Sequence, residues 1–467
     1  MPISTTAFGT YDIRGIYPDT LSEELAYRIG RAFPGIFGAR RVAVGHDIRL
    51  SGPSLQEALV RGLTESGCDV VDIGMCGTEM IYFAVGQYYL DGGIMITASH
   101  NPKEYNGMKF VREGARPISN DNGLVELREA VEMWGSEGVT GATTLSVACG
   151  DSSPRGGAKG GVEHRDITDE YVQYILSYVD MSQLRPYRIV CNTGNGAAGP
   201  ILRAMERFLP LDIVMVNEVP DGAFPNGVPN PLLPENREAT ARVVRETGAD
   251  MGVAWDGDFD RCFVFDENGT CIEGYYLVGF LAQAFLAKHP GERIIHDPRL
   301  TWNTREVVTA YGGEPVLSRS GHAFIKAKMR EENAIYGGEM SSHHYFRDFW
   351  YCDSGMIPWL LVVELLSQSG GKSLSQLMKE RMERFPISGE INSKVKDADD
   401  VLARVEERYG REGEVTRVDG LSIAFPTWRF SLRRSNTEPV IRLNVETRGD
   451  RALCEEKTQE LLAIIRA

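Results

Sequence analysis

A strand–helix–strand–helix–strand pattern occurs three times along this chain of 467 residues. Short apolar runs alternate with helical stretches over residues 41–97, 188–255 and 293–336. Such alternation predicts βαβ units and parallel sheets, because a crossover helix joins each pair of parallel strands. One hydrophobic core rarely serves more than about 250–300 residues, so the three copies predict three separate α/β domains.

The last part of the chain departs from this pattern. From about residue 385 it contains predicted helices at 398–409 and 452–465 around strand-like runs at 421–425, 428–432 and 440–445. We therefore predict an α/β fold class: three related α/β domains with mixed, largely parallel sheets plus a smaller C-terminal α+β domain around a central cleft. The predicted domains span residues 1–150, 151–270, 271–384 and 385–467, with the Gly- and Ser-rich segment 150–161 as a linker.

Charge and composition exclude several classes of protein. The net charge is −15, and no run of Lys and Arg interrupts it, so we expect no nucleic-acid partner. No apolar run reaches about 18 residues, and the most apolar segment, 275–287, is predicted to be a buried helix. The N-terminal residues lack the pattern of a signal peptide, so a cytoplasmic location is expected. The eight cysteines show no CxxC spacing and are expected to be buried free thiols.

The loops after the third strand of each repeat contain chemically active side chains. They read TASHNP (97–102), DGDFDR (256–261) and GGEMSSHH (337–344). In open α/β sheets, ligands bind outside the carboxyl ends of the strands. Three equivalent loops with three different chemistries therefore predict one shared cleft.

The acidic loop predicts a metal site. Asp256, Asp258 and Asp260 alternate along the chain, so on extended backbone their side chains point the same way. Three adjacent carboxylates repel one another unless a cation neutralises them, and Mg²⁺ or Ca²⁺ is the natural partner. An EF-hand is excluded because Arg261 stands where its loop needs glycine. The alternative is a solvated acidic turn.

Two further loops offer candidates for phosphate chemistry. Ser99 follows a predicted strand, which favours a nucleophile or phosphate carrier over an ordinary turn serine. Lys109 could bind phosphate or move protons, or be a solvated surface lysine. The RRSNTEP loop at 433–439 combines arginine with hydroxyl groups, which suits a phosphate dianion but fits a polar hairpin turn equally well.

The third-repeat loop contains a candidate sugar ligand. The Glu339 carboxylate could accept hydrogen bonds from two sugar hydroxyls, or be a solvated or edge-strand charge. His343 and His344 are adjacent, so on extended backbone they face opposite ways. A metal site made by both histidines is therefore disfavoured.

A glycine-rich motif favours a different function. GNGAAG (194–199) follows a predicted strand and opens a helix, and Glu218 ends the next strand. This arrangement is typical of dinucleotide binding, so an NAD-dependent oxidoreductase is the alternative function. The same glycines would also allow tight packing of helix on strand.

Taken in order, the loops resemble the α-D-phosphohexomutase superfamily over the whole chain. The resemblance includes YDIRG (11–15), TASHNPKEYNGMK (97–109), DGDFDR (256–261), GGEMSSHHYF (337–346) and RRSNTEP (433–439). Longer stretches, at 226–235, 294–304 and 343–361, are most similar to the bacterial phosphomannomutase branch. The resemblance implies interconversion of mannose 6-phosphate and mannose 1-phosphate in supply of GDP-mannose, with phosphoglucomutase activity as a further possibility. It also implies Mg²⁺ as cofactor and a hexose 1,6-bisphosphate as intermediate and activator.

The resemblance further implies roles for particular residues. Ser99 would be the phosphoserine, and Mg²⁺ would be bound by Ser99, Asp256, Asp258 and Asp260. The other catalytic residues would be Arg14, Lys109, Arg261 and His322. The substrate-binding residues would be Tyr11, His100, Arg299, Glu339, Ser341, His343, Arg433, Ser435, Asn436 and Thr437.

A third hypothesis is a sugar-phosphate-binding protein that has lost catalysis. The presence of every loop residue that the chemistry needs argues against it. The expected partner is a phosphorylated hexose, without nucleic acid or membrane, in a monomer or homodimer. Selectivity for mannose over glucose is not determined by any single residue of the sequence.

Overall fold

The computed structural model describes residues 3–133, 159–434 and 440–467. Four sheets form the framework of four domains, and their loops border one cleft. Three domains are α/β and the last has an antiparallel sheet, which confirms the predicted fold class. Most of the predicted linker lies outside the described residues, and so does Cys149. The other cysteines are free thiols.

The first domain is built on a seven-stranded sheet. Its elements are β1 (Ile13–Ile16), α1 (Glu23–Phe37), β2 (Arg41–His46), α2 (Gly52–Glu65), β3 (Asp69–Met75), α3 (Thr78–Gln87), β4 (Gly92–Ile96), β5 (Tyr105–Arg112), β6 (Arg116–Pro117), α4 (Leu124–Met133) and β7 (Val162–His164). Strands β4, β2, β3 and β7 are parallel neighbours, and β5 pairs antiparallel with β1 and β4. The Ser22 hydroxyl caps α1, and Gly38 ends it in a left-handed conformation.

The second domain has the order β12-β11-β10-β8-β9. Its elements are α5 (Thr168–Leu176), β8 (Arg188–Asn192), α6 (Ala198–Glu206), β9 (Asp212–Val216), α7 (Glu238–Thr247), β10 (Met251–Trp255), β11 (Cys262–Phe265) and β12 (Cys271–Ile272). Strands β8, β9 and β10 are parallel, and β11 returns antiparallel beside β10. The acidic loop therefore lies in the connection between β10 and β11.

The third domain repeats this topology with the order β14-β13-β15-β16-β17. Its elements are α8 (Gly274–Lys288), β13 (Arg293–His296), α9 (Trp302–Ala310), β14 (Glu314–Leu317), α10 (His322–Glu332), β15 (Tyr336–Gly338), β16 (His344–Phe346), β17 (Cys352–Asp353), α11 (Met356–Gln368) and α12 (Leu374–Arg384). Helices α8 and α11 are almost wholly buried because they pack where domains meet. Among the described helices, none has the length and apolar character to span a membrane.

The C-terminal domain is a five-stranded antiparallel sheet in the order β18-β22-β21-β20-β19. Its elements are β18 (Ile391–Lys394), α13 (Ala398–Tyr409), β19 (Glu414–Thr416), β20 (Leu421–Ala424), β21 (Trp428–Arg434), β22 (Val440–Thr447) and α14 (Arg451–Arg466). Helices α13 and α14 cover a separate core of aliphatic and aromatic side chains. This domain borders the cleft with the other three and contacts the third domain, where Arg429 Nη1 donates to Arg299 O at 3.0 Å.

The parallel strands of the three repeats match the predicted runs within about two residues, which is the usual uncertainty of an element boundary, whereas the parallel strand β7 was not predicted. Strand β7 pairs with β3, so the first sheet includes residues beyond the predicted boundary at 150. Strand β12 likewise extends the second sheet past residue 270. The domain boundaries themselves stay predictions.

Candidate active site

Loops from all four domains border one cavity of about 1390 Å³. The carboxyl ends of β4, β10 and β15 point toward it, as the sequence pattern predicts. The predicted site residues on its surface are Tyr11, Arg14, His100, Arg261, Arg299, His322, Glu339, Ser341, His343 and Arg433. Ser435, Asn436 and Thr437 lie outside the described residues.

Ser99 lies just beyond the end of β4, with its side chain against the acidic loop. Its Oγ donates to Asp256 Oδ2 at 3.0 Å and lies 3.1 Å from His100 Nδ1. The residue is almost completely buried and has a φ of 49°, in the left-handed region. A non-glycine residue in that region must be held there by its surroundings. Thr97 Oγ1 contributes to this by accepting a hydrogen bond from Ser99 N at 2.8 Å.

The three aspartates of the acidic loop converge as predicted. One carboxylate oxygen from each of Asp256, Asp258 and Asp260 lies within 4.8 Å of the others, and all three residues are buried. Lys109 Nζ donates to Asp258 Oδ2 at 2.7 Å and to Asp260 Oδ2 at 2.6 Å. Oδ1 of Asp258 and Oδ1 of Asp260 have no hydrogen-bond partner in the described part of the chain. Buried carboxylate oxygens without donors fit a divalent cation, so these residues could hold a metal ion.

The ionisation of the cluster follows from its burial and its single ammonium group. Burial, and then the charges of Asp260 and Asp258, raise the pKa of Asp256 to about 7. Burial also acts on Asp258, but the Lys109 charge and hydrogen bond hold the pKa of Asp258 below its usual value. The pKa of Lys109 is raised, because Asp258 and Asp260 outweigh the opposing effect of burial. Lys109 is therefore a fixed positive charge beneath the acidic loop.

Positive side chains surround the Ser99 hydroxyl on the cleft side. Arg261 Nε lies 3.4 Å from Asp256 Oδ2, and Arg14 Nε donates to Asp12 at 2.8 Å and Arg14 Nη1 to Asn101. Burial, and then the charges of Arg261 and Arg14, hold the pKa of His100 well below its usual value, so its imidazole is neutral. The arrangement can hold an anionic group on or beside Ser99.

The third-domain loop places Glu339 and Ser341 on the opposite side of the cleft. Glu339 Oε1 accepts from Gly321 N at 2.9 Å, and Oε2 accepts from Tyr345 OH at 2.6 Å. Arg299 Nη2 lies 3.2 Å from Ser341 Oγ and 3.4 Å from Glu339 Oε1. Oε1 of Glu339 thus has two donors, whereas Oε2 keeps a free lone pair for a hydroxyl group, and these bonds fix the side chain in place.

The two adjacent histidines face opposite ways, as predicted. His344 is buried against Tyr336, whose hydroxyl lies 2.6 Å from its Nδ1. His343 lies on the cavity surface, with Nδ1 3.0 Å from Asp353 Oδ2. Lys326 Nζ is 2.5 Å from the other oxygen of Asp353. Sequence reasoning missed Asp353 and Lys326, because a buried ion pair at sites far apart in sequence leaves no local pattern.

His322 begins helix α10 at the rim of the cavity. Burial, and then the Lys326 charge, hold its pKa well below the usual value, so its imidazole is neutral. The Tyr11 ring lies edge-on to His322 at 6.1 Å and to Phe324 at 5.5 Å between ring centroids. These contacts join the first and third domains at the mouth of the cleft.

The C-terminal domain contributes positive charge at the far end of the cleft. Arg433 Nη1 donates to Asp419 Oδ2 at 3.0 Å, and Nη2 donates to Glu390 Oε2 at 3.3 Å. The arginines on the cavity surface are Arg14, Arg261, Arg299, Arg319, Arg417, Arg433, Arg434 and Arg442. The carboxylates on the same surface are Asp12, Glu339, Glu390, Asp399, Glu406 and Asp419. The eight arginines outnumber the six carboxylates in a chain of net charge −15, which suits a small anionic ligand.

The glycine-rich motif at 194–199 has a packing role. A Cβ added at Gly199 would lie 1.9 Å from Glu218 O, so only glycine allows α6 to approach the end of β9. The Glu218 carboxylate accepts a hydrogen bond from Arg203. Packing of α6 on β9 therefore accounts for the glycine motif without a bound dinucleotide.

A scan against known families matches four models in chain order. They describe the phosphoglucomutase/phosphomannomutase family: alpha/beta/alpha domain I at residues 5–132, domain II at 169–269, domain III at 273–385 and the C-terminal domain at 390–463. The order and positions of the models agree with the four sheets.

Relatives of known name and structure agree with this match. The chain is 56% identical to phosphohexose mutases of Xanthomonas campestris pv. campestris over 98% of this chain and 99% of that protein. It is 54% identical to the phosphomannomutase of Salmonella montevideo, over 98% and 99% of the two chains. The structure of a phosphoglucomutase/phosphomannomutase family protein from Burkholderia thailandensis superimposes with a TM-score of 0.85, at 32% identity over 99% and 98% of the chains. With such relatives the chain is an enzyme of the isomerase class that transfers a phosphoryl group on a phosphohexose, and it belongs to the phosphoglucomutase/phosphomannomutase family.

Proposed function

We propose that this enzyme interconverts mannose 6-phosphate and mannose 1-phosphate through a phosphoserine at Ser99. The observation that carries the proposal is the placement of Ser99 Oγ, 3.0 Å from a carboxylate of a buried three-aspartate cluster. Relatives named phosphomannomutase, at 54% and 53% identity, support mannose as the sugar. The product would supply GDP-mannose synthesis.

Asp256, Asp258 and Asp260 would hold Mg²⁺ together with an oxygen of the phosphorylated Ser99. The unpaired buried oxygens of Asp258 and Asp260 support this, since Mg²⁺ prefers carboxylate ligands. When bound, the ion neutralises charge that develops on the transferred phosphoryl group. Lys109 holds two of the carboxylates in place and balances part of their charge.

In the first transfer, a hydroxyl oxygen of the substrate forms a bond to phosphorus while the bond from phosphorus to Ser99 Oγ breaks. Arg14 and Arg261 face the phosphoryl oxygens, and His100 remains a neutral hydrogen-bond partner. His343 accepts the hydroxyl proton at Nε2, because Asp353 occupies the side of Nδ1. The Ser99 oxygen leaves as an alkoxide and takes up a proton, and loss of one proton by His343 balances it. The products are therefore the Ser99 hydroxyl, a hexose 1,6-bisphosphate and neutral His343.

The bisphosphate then turns over in the cleft, and its other phosphate returns to Ser99. During both transfers the distant phosphate needs a site that accepts either end of the sugar. Arg433 with Ser435, Asn436 and Thr437 would provide it, and the arginines that the C-terminal domain places on the cavity surface support this role. Glu339, Ser341 and Arg299 would bind the sugar hydroxyls, with His322 and Tyr11 at the mouth of the cleft. Closure of the cleft would exclude water, which would otherwise hydrolyse the phosphoserine.

The test is ³¹P NMR of the purified protein with Mg²⁺, trace hexose 1,6-bisphosphate and mannose 6-phosphate, beside a tube with glucose 6-phosphate. We expect a mannose 1-phosphate signal, and its loss in Ser99→Ala because this variant removes the hydroxyl that bonds Asp256. The ratio of the two rates measures selectivity and any phosphoglucomutase activity. Full turnover by Ser99→Ala would refute the phosphoserine mechanism. Binding of both sugars without turnover by phosphorylated protein would instead support the hypothesis of a sugar-phosphate-binding protein. NAD binding measured by calorimetry would support the oxidoreductase.

A further inference from the structure

The pattern HDxRL followed by Ser or Thr occurs twice, and the mechanism above assigns no role to its first copy. HDIRLS spans residues 46–51 and HDPRLT spans residues 296–301. Each begins with the last residue of a parallel strand, β2 in the first domain and β13 in the third. Strand β2 lies beside β4, and β13 lies beside β15. Each copy therefore lies next to the loop that follows the last parallel strand, which contains Ser99 in one domain and Glu339 in the other.

The two copies have the same local geometry. Arg49 N donates to Asp47 Oδ1 at 2.9 Å, and Arg299 N donates to Asp297 Oδ1 at 2.9 Å. In both copies the second carboxylate oxygen reaches the neighbouring loop. In the third domain, Asp297 Oδ2 accepts from Met340 N at 2.8 Å. The repeated pair thus connects the end of one strand with the functional loop of the next.

In the first domain the arginine is buried, and its guanidinium donates to backbone carbonyl groups. Arg49 is 1% exposed. Its Nη1 donates to Pro102 O at 2.8 Å and Tyr105 O at 2.7 Å, and its Nη2 donates to Ser99 O at 2.9 Å and Asn101 O at 2.7 Å. One rigid guanidinium therefore holds four carbonyl groups of the Ser99 loop.

The aspartate of this copy reaches Ser99 through one threonine. Asp47 Oδ2 accepts from Thr97 Oγ1 at 2.6 Å, and Thr97 Oγ1 accepts from Ser99 N at 2.8 Å. Hydrogen bonds therefore hold Ser99 at its N–H, through Thr97, and at its C=O, through Arg49. They enclose the one residue of the loop whose backbone is in the left-handed region.

We propose that Asp47 and Arg49 are positioning residues that hold Ser99 with its Oγ against the acidic loop during both phosphoryl transfers. Neither side chain reaches the substrate, and Arg49 does not line the cavity, whereas Arg299 does. The shared HDxRL pattern thus supplies a cavity-lining arginine in the third domain and a buried supporting arginine in the first. The inference rests on the proposed phosphoserine at Ser99.

The test compares Arg49→Lys with wild type, because lysine keeps the charge but cannot reach four carbonyls in one plane. We expect kcat, and the rate at which hexose 1,6-bisphosphate phosphorylates Ser99, to fall about ten- to hundredfold, as misplacement of a reacting group does. The KM for mannose 6-phosphate should stay unchanged, and the amides of residues 97–105 should exchange hydrogen faster. The matched control is Arg188→Lys. The Arg188 side chain bonds Asp212 and Thr247 O at the amino end of β8, and Arg188 does not line the cavity.

A second pair of variants decides the question if Arg49→Lys does not fold. Thr97→Val keeps the shape but removes the oxygen between Asp47 and Ser99, whereas Thr97→Ser keeps that oxygen. We expect slow phosphorylation of Ser99 in Thr97→Val and a wild-type rate in Thr97→Ser. Wild-type rates and wild-type amide exchange in both Arg49→Lys and Thr97→Val would overturn the inference. Failure of wild type itself to become phosphorylated would refute the proposed function instead, and amide exchange would still test the positioning.

Discussion

Glu446 anchors the C-terminal domain to the third domain at a buried junction. Its carboxylate lies on β22 and is completely buried. Glu446 Oε1 accepts from Thr301 N at 2.7 Å and from Arg429 Nη1 at 2.8 Å, and Tyr275 donates to Oε2. Every group around this carboxylate is a donor. The replacement Glu446→Gln is therefore expected to destabilise the protein although it barely changes the shape of the side chain.

The size of the effect follows from the contacts that glutamine cannot make. An amide group in place of one oxygen faces a donor. Arg429 also loses its carboxylate partner and, among the described residues, keeps the carbonyls of Arg299 and Pro298. Hydrogen bonds to charged groups contribute about 1.5–3 kcal/mol each. Two such losses give about 3–6 kcal/mol, which overlaps the cost of about 3–5 kcal/mol for breaking a buried ion pair.

The assay is urea unfolding at neutral pH, followed by tryptophan fluorescence, because Trp302 and Trp428 lie in the two domains that the junction joins. The control is Arg408→Met, which removes an exposed pair with Glu412 in the same domain and should cost at most about 0.5 kcal/mol. A loss below about 1 kcal/mol in Glu446→Gln would show that the junction does not depend on this charge.

Two further predictions concern buried charge elsewhere. Lys109→Met removes the ammonium between two buried aspartates, so we expect the metal-free protein to lose about 3–5 kcal/mol of stability. Mg²⁺ should raise the melting temperature of this variant more than that of wild type. Equal melting temperatures of the two proteins in EDTA would contradict this. Burial raises the pKa of Glu79 to about 8, so the folded protein favours the neutral carboxyl. The stability that this preference gives is complete below about pH 4.5 and is lost as pH rises toward 8. The loss is about 5 kcal/mol, at roughly 1.4 kcal/mol per pKa unit. Glu79→Gln should abolish that slope in melting temperatures measured from about pH 5 to 8, and equal slopes in the two proteins would refute the assignment.

The pattern of apolar runs predicted the parallel strands because such strands are buried on both faces and leave a local signal. It did not predict the antiparallel strands β5, β16 and β17, which extend the first and third sheets. These strands are short or partly made of functional loop residues, as at His344–Phe346. Their pairing partners, not their own periodicity, make them strands.

The candidate site was predictable where chemistry is local in sequence. The alternating aspartates and the serine after a strand are recognisable because each lies within one loop. The repeated HDxRL pattern was also visible, and reading it would have pointed to Asp47 and Arg49. Asp353 and Lys326 were not, because Asp353 reaches Lys326 and His343 only in the folded chain.

The amino-acid sequence alone determined the α/β class, the number of domains and the residue types that the cleft requires. These properties follow from short-range periodicity and from the identity of side chains. Tertiary structure alone decided which charges are neutralised, which histidine faces the cleft and how Ser99 is held in its backbone conformation. Those properties depend on burial and on distances of a few ångströms between groups that are far apart along the chain, and electrostatic and hydrogen-bond energies change steeply over such distances.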